Sequence, residues 1–239
     1  MHYAELLCLT NFSFQLGASH PRELVERAKE LGYAALAIAD ECSLAGIVRA
    51  HEAAETAGLP LIIGSQFRFE EGDRVALLAP TQDAYSQICE LITRARRAAP
   101  KGTYSIGRAD FECGAISETI ALWIPGRQIT PETVEWFARL PAVTAHLAHA
   151  HHLEQDSAQR LDALLACGQQ FSLPVIAVGD VHYHVRDRDR KSTRLNSSHS
   201  SEDDGRQDRA SGLRQWRAAS STIEYVAEVV SGRAAGRLS

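Results

Sequence analysis

An aspartate and two histidines follow a short apolar run in Pro174-Val-Ile-Ala-Val-Gly-Asp180-Val-His182-Tyr-His184. Asp180 and His182 are one residue apart, so along extended backbone both side chains leave from the same side. A carboxylate and an imidazole so placed can hold a divalent metal. The same pattern also suits a strand cap, with Asp180 accepting loop N–H groups and His182 packing on Tyr183. A second acidic pair, Asp40-Glu41, ends the apolar run 34–39. His146, His149, His151 and His152 fall within seven residues, but without paired acids beside them they read as metal ligands or as buried or solvated rings. Arg94, Arg96, Arg97 and Lys101 cluster at the end of an amphipathic stretch. There they complement a helix dipole and offer a candidate contact for a DNA backbone.

Such groups need a frame, and the hydrophobic pattern supplies one. Residues 5–9 read as a strand, followed by the polar turn 10–13 and Gly17. Ser19 as cap and Pro21 in the first turn open a helix that carries Leu24, Ala28 and Leu31 and closes at Gly32. A buried strand over 34–39 is followed by a helix over 44–57, stopped by Gly58, and by a strand over 61–64 with Gln66 just beyond it. Segments 67–69 and 74–79 flank the turn 70–73 as a hairpin. A helix over 82–98 buries Tyr85, Ile88, Ile92 and Ala95. Beyond a polar connection come a strand over 119–124, a helix over 131–139, a strand over 142–148, a helix over 154–171 and the strand that leads to Asp180. About seven strands with intervening helices predict an α/β fold closed into a barrel, whose chemistry belongs at the C-terminal strand edges.

Length and charge narrow the class. The chain has 239 residues, enough for one substantial core, and a formal net charge of −5 that leaves no overall nucleic-acid footprint. Cys8, Cys42, Cys89, Cys113 and Cys167 are odd in number and never form a C-x-x-C pair. That argues for reduced thiols in a cytoplasmic protein and against a structural zinc site. No run approaches the roughly 20 apolar residues of a membrane span, and no membrane partner is expected.

From Lys191 the chain changes character. Ten of the residues 191–239 are serine, against nine in all of 1–190. The segment is too poor in apolar side chains to offset the entropy of ordering, which predicts disorder. A sharper reading is available: Lys191-Ser-Thr-Arg-Leu-Asn-Ser-Ser-His199 looks like a common sequencing-library adapter read as protein. On this reading the natural sequence stops near Arg190, and 191–239 is an assembly artefact with no part in the fold.

Several blocks in register resemble one family. They are Ala4-Glu-Leu-Leu-Cys-Leu-Thr-Asn-Phe-Ser-Phe14, Gly17-Ala-Ser-His-Pro21, Ala37-Ile-Ala-Asp-Glu-Cys-Ser-Leu-Ala-Gly46, Leu61-Ile-Ile-Gly-Ser-Gln66, Leu91-Ile-Thr-Arg94 and Gly179-Asp-Val-His-Tyr-His184. Together they are similar to the N-terminal PHP (polymerase and histidinol phosphatase) domain of bacterial error-prone DNA polymerases, relatives of the replicative C-family alpha subunits. The resemblance covers residues 1–190 and implies a distorted seven-stranded β/α barrel. It also implies a parent enzyme that extends primers in damage-induced, mutagenic synthesis.

Active members of that family hold up to three metal ions in the barrel mouth. The family's opening His-x-His falls here on Leu7 and Leu9, its Asp-His pair on Asp40-Glu41, its glutamate on Gln66 and its closing Asp-x-His on Asp180 and His182. Leucine offers no lone pair, and a neutral Gln66 carbonyl holds a hard cation poorly. The resemblance therefore leaves Asp40, Asp180 and His182 as a vestigial metal site, with Glu41 and His184 as weaker additions. It implies no cofactor in this fragment, Mg²⁺ for the parent polymerase, and Zn²⁺ or Mn²⁺ only if the mouth is active. The palm carboxylates lie beyond this chain, so the expected partners are the missing polymerase core, DNA and mutagenesis accessory proteins. The alternative is a metal-dependent phosphoesterase akin to histidinol phosphatase, or a 3′–5′ exonuclease.

Overall fold

The computed structural model describes residues 3–69, 72–112, 116–126, 129–150 and 157–188. The tail 191–239, Cys113, His151 and His152 lie outside the described residues. Seven strands follow one another around a single sheet: β1 (Ala4–Glu5), β2 (Ala35–Glu41), β3 (Leu61–Arg68), β4 (Arg74–Ala79), β5 (Ile120–Ile124), β6 (Thr144–Ala150) and β7 (Val175–Val178). All neighbours are parallel except around β4, which runs antiparallel to both β3 and β5. Six strands thus end at one rim, the mouth, and β4 begins there.

Helices α1 (Pro21–Glu30), α2 (Ile47–Ala57), α3 (Gln82–Arg97), α4 (Arg108–Glu112), α5 (Pro131–Ala138) and α6 (Ser157–Phe171) complete the fold, and a short 3₁₀ turn (Arg186–Arg188) follows β7. The barrel interior is filled by Ala35, Ala37 and Ala39 of β2, Ile62 of β3, Ala76 and Leu78 of β4, Ile120, Leu122 and Ile124 of β5, and Ile176 and Val178 of β7. The opposite faces of the strands bury Leu36 and Ile38 against α1 and α2, and Val75, Leu77 and Trp123 against the other helices. Period-two alternation thus assigns each strand residue to the interior or to the helix layer.

Local differences from the sequence reading have physical causes. Residues 61–68 form one strand, where the sequence pattern suggests two short ones, because Gly64 lets β3 run on past the close Leu77 carbonyl of β4. The α1 cap is His20, whose N–H donates to the Glu23 carboxylate at 2.8 Å. Ser19 is spent elsewhere: its hydroxyl lies 2.7 Å from His184 Nδ1 and accepts the His184 N–H at 2.9 Å. Helix α2 starts at Ile47, since Ser43 turns the chain first, its N–H donating to Ser65 Oγ at 3.1 Å.

The barrel closes between its first and last strands with little ladder. Cys8 and Val181 form a single bridge, in which Leu9 N–H donates to the Val181 carbonyl at 2.8 Å and Val181 N–H to the Leu7 carbonyl at 2.9 Å. Below it a carboxylate takes the place of a strand. The fully buried Glu5 accepts from Gly179 N–H at 2.9 Å, from Leu7 N–H at 2.9 Å and from Tyr3 Oη at 2.8 Å. A Cβ on residue 179 would sit 2.2 Å from Glu5 Oε2, so only glycine permits the approach.

Burial raises the Glu5 carboxyl to about 7, against the hydrogen bonds that lower it. Its folded form therefore keeps a proton that the unfolded chain releases near 4.5, and between these values stability falls as pH rises. His146, inside the barrel on β6 and lowered by burial to about 4, acts with the opposite sign: its contribution to stability rises with pH from about 4 to 6.5. Glu5→Gln removes the first slope alone. The stability difference between wild type and variant, measured by urea unfolding, should shift by roughly 3 kcal/mol against the wild type between pH 4.5 and 7. A difference that does not vary with pH would refute the role given to Glu5.

Candidate functional site

The mouth is organised by an arginine that the sequence pattern does not single out. Arg74 is the first residue of β4, and alternation with Ala76 and Leu78 turns it to the interior at the rim. Its guanidinium pairs with Asp180 through both arms, Nη1 to Oδ1 at 2.9 Å and Nη2 to Oδ2 at 2.7 Å. The two side chains are only 12% and 7% exposed. Nη1 also donates to Gln66 Oε1 at 3.0 Å. Burial opposes the positive charge, yet the Asp180 carboxylate and, further off, Glu41 hold Arg74 above its ordinary range. Asp180 adopts a left-handed backbone (φ +48) directly after Gly179, a conformation aspartate tolerates better than most residues.

The other sequence candidates sit around this pair in different ways. His182 Nδ1 lies 3.2 Å from the Leu16 carbonyl and so carries the proton, which turns Nε2 toward Asp180 Oδ1 at 3.5 Å. Glu41 is held by Tyr104 Oη at 2.7 Å and faces Arg68 at 3.6 Å. Asp40 shares the helix-facing side of β2 with Leu36 and Ile38. There it is consumed by the β1–α1 loop, accepting from Thr10 N–H at 2.8 Å, Thr10 Oγ1 at 2.7 Å and Ser13 Oγ at 2.6 Å. His184 lies outside the mouth against Ser19, 3.9 Å from Glu23. The structure therefore gathers Asp180 and His182 around Arg74, with Glu41 in electrostatic range, and leaves Asp40 and His184 elsewhere. His146 and His149 fall on opposite faces of β6, so no single ion can take both.

Leu7 and Leu9 are buried and give the seam its backbone hydrogen bonds. Of the basic cluster, Arg96 is committed to the fold, donating to the Cys42 carbonyl from Nε at 3.2 Å and Nη2 at 3.1 Å and stacking on Tyr104. Arg94, Arg97 and Lys101 are exposed.

The PHP domain model matches residues 5–166 of the sequence. The chain belongs to the PHP domain family. Curated relatives include the error-prone DNA polymerase of Methylococcus capsulatus, 47% identical over 186 residues, and that of Pseudomonas fluorescens, 48% identical over the same length. Each match covers 78% of this chain and 18% of the relative, so the chain spans about a fifth of the length of the curated relatives it matches. Among solved structures, a Bifidobacterium adolescentis protein assigned as a metal-dependent phosphoesterase superposes with a TM-score of 0.58 at 18% identity, over 81% of this chain and 96% of that one. That likeness speaks to the shared barrel.

A metal cluster of the kind PHP domains hold does not fit the donors present here. Both Asp180 oxygens are taken by a cation already in the chain, and both Asp40 oxygens by Thr10 and Ser13. Among the described residues no three histidine, cysteine, aspartate or glutamate side chains converge on one point. An entering divalent ion would have to expel a buried, doubly bonded guanidinium, and Gln66 offers it only a neutral oxygen.

The pair can be tested by breaking it from one side. Arg74→Met leaves Asp180 as a buried charge without this partner and should cost about 3–5 kcal/mol in urea unfolding. Adding Asp180→Asn to that variant should recover more than half of the loss. A double variant no better than the single one would show that the pair does not hold the mouth.

Proposed function

We infer that this chain is the PHP module of an error-prone DNA polymerase, and that the module serves as scaffold rather than as phosphoesterase. The observation that carries the second half is the Arg74–Asp180 pair, an internal ion pair where the family's chemistry would need open ligands. The identity near 48% to curated error-prone polymerases supports the first half. The parent activity we propose is template-directed primer extension during damage-induced, mutagenic synthesis in the cytoplasm, within DNA replication and repair. It would be carried by Mg²⁺ on palm carboxylates in the part of the polypeptide that has no counterpart here. No helix among the described residues is long and apolar enough to cross a membrane.

The module's proposed partners are the polymerase core of the same polypeptide, accessory proteins and DNA. For DNA the proposed contacts are the exposed Arg94, Arg97 and Lys101, while Arg96 also donates to the Cys42 carbonyl. We also propose that the module spans residues 1–190 and that 191–239 derives from a library adapter. An uninterrupted genomic read through codons 190–200 would refute this last point.

The scaffold reading predicts that the purified chain carries no stoichiometric zinc or manganese by elemental analysis and does not hydrolyse an aryl phosphate in Mn²⁺. It predicts as well that deleting the matched region from the Methylococcus capsulatus polymerase shortens the lifetime of primer extension on heating. Two or three ions per chain, together with turnover lost in Asp180→Ala, would establish the phosphoesterase instead.

A further inference from the structure

The loop between β1 and α1 is over-determined for a surface loop. Asp40 holds Thr10 and Ser13, the Thr10 carbonyl accepts Ser13 N–H at 3.0 Å, and the Ser13 carbonyl accepts Leu16 N–H at 3.0 Å and Gly17 N–H at 2.9 Å. His182 ties the far side, its ring to the Leu16 carbonyl at 3.2 Å and its own carbonyl to Ala18 N–H at 2.9 Å. A Cβ on Gly17 would lie 1.9 Å from the Thr10 carbonyl oxygen, and Gln15 is held at φ +64. A non-glycine residue in that region is strained and stays there only when its surroundings enforce it.

This rigid loop displays an aromatic side chain. Phe14 is 81% exposed, the most exposed large hydrophobic side chain described. Its neighbour Phe12 is packed under Arg49 of α2, 5.5 Å from guanidinium carbon to ring centroid, so the two aromatics of the loop have different roles. Val48 in the first turn of α2 and Val185 after β7 are exposed on segments that also adjoin the mouth. A rigid, protruding aromatic residue gives up little conformational freedom on binding, which is the property of an interface anchor.

The last described segment leaves on this same face. Residues after Asp180 run past the loop, through the Ala18–His182 and Ser19–His184 contacts, to the turn Arg186–Arg188 on Glu23 of α1. The matched region is 18% of the curated relatives, so a polypeptide of their length has more than four-fifths of its chain still to place, and the last described residues lie on the face that carries the β1–α1 loop. We propose that Phe14 is the anchor by which this module seats in an apolar pocket of the polymerase body that follows it in the same polypeptide. The proposal rests on the scaffold reading and adds the contact through which the scaffold acts.

The test uses the intact Methylococcus capsulatus polymerase with its matched region replaced by residues 1–188 of this chain. The half-life of primer extension on heating should fall about tenfold for Phe14→Ser in the graft and be restored by Phe14→Trp. Val143→Ser should change nothing, because Val143, though 52% exposed, lies at the end of the barrel opposite the mouth. Equal half-lives for the wild-type and Phe14→Ser grafts would overturn the anchor while leaving the scaffold reading intact. A wild-type graft no longer-lived than the deletion would overturn both. Sedimentation of the 239-residue chain supplies the other control: a dimer that Phe14→Ser dissolves would make a second copy, not the polymerase body, the occupant.

Discussion

The geometry of the mouth depends on one buried ion pair. Arg74 enters from β4, which runs antiparallel to the strands on both its sides, and Asp180 from just past β7, so their two hydrogen bonds span the rim. A guanidinium in place of a metal cluster changes what the mouth can do. It is a fixed, monovalent cation with all its donors in one plane and no exchangeable ligand position, so it can neutralise and orient carboxylates but cannot activate a water. Gln66 suits this partner, because an amide oxygen accepts from Arg74 without adding a second negative charge beside Asp180.

The seam below the mouth follows a related logic. Where β1 and β7 are too short to form a ladder, Glu5 collects the N–H groups of Leu7 and Gly179 and the Tyr3 hydroxyl. One fully buried carboxyl thus satisfies donors that a longer strand would otherwise have paired, and its cost appears as a carboxyl raised to about 7. His146 within the barrel bears the opposite cost, since burial keeps its ring neutral. The two groups tilt stability in opposite directions over an overlapping range of pH.

The strand order and closure are legible in the sequence because they rest on long apolar runs punctuated by glycine and polar turns, the strongest signals a chain carries. The facing of single residues is less so. Residues 35–39 of β2 are apolar on both sides, so nothing in their pattern tells that Asp40 continues the helix-facing row of Leu36 and Ile38 while Glu41 follows the interior row. Arg74 escapes notice for a similar reason: an arginine opening a hairpin strand is ordinarily solvated. Only its parity with Ala76 and Leu78 and the direction of β4 turn it inward. That signal is present once the hairpin is drawn, together with a leucine pair and a glutamine where ligands would be needed. The Ser19–His184 contact joins residues 165 positions apart and has no local signature.

Asp40 and His182 show why ligand-type residues at family positions do not by themselves argue for a metal. Asp40 takes three hydrogen bonds from the β1–α1 loop, and His182 takes one end of the same loop through its ring and its carbonyl. Replacing Asp40 would cost the loop three hydrogen bonds, and replacing His182 would cost it the ring contact to Leu16 while leaving the backbone bond to Ala18, whatever the mouth contained. A carboxylate that accepts from a backbone N–H and two hydroxyls is fully engaged in water-free surroundings, and removing it would leave those donors buried and unpaired at about 1–3 kcal/mol each. The loop's demand for these two side chains is thus sufficient reason for their presence. It also separates them from Leu7, Leu9 and Gln66, which contribute to the loop no acceptor that a different side chain could not replace.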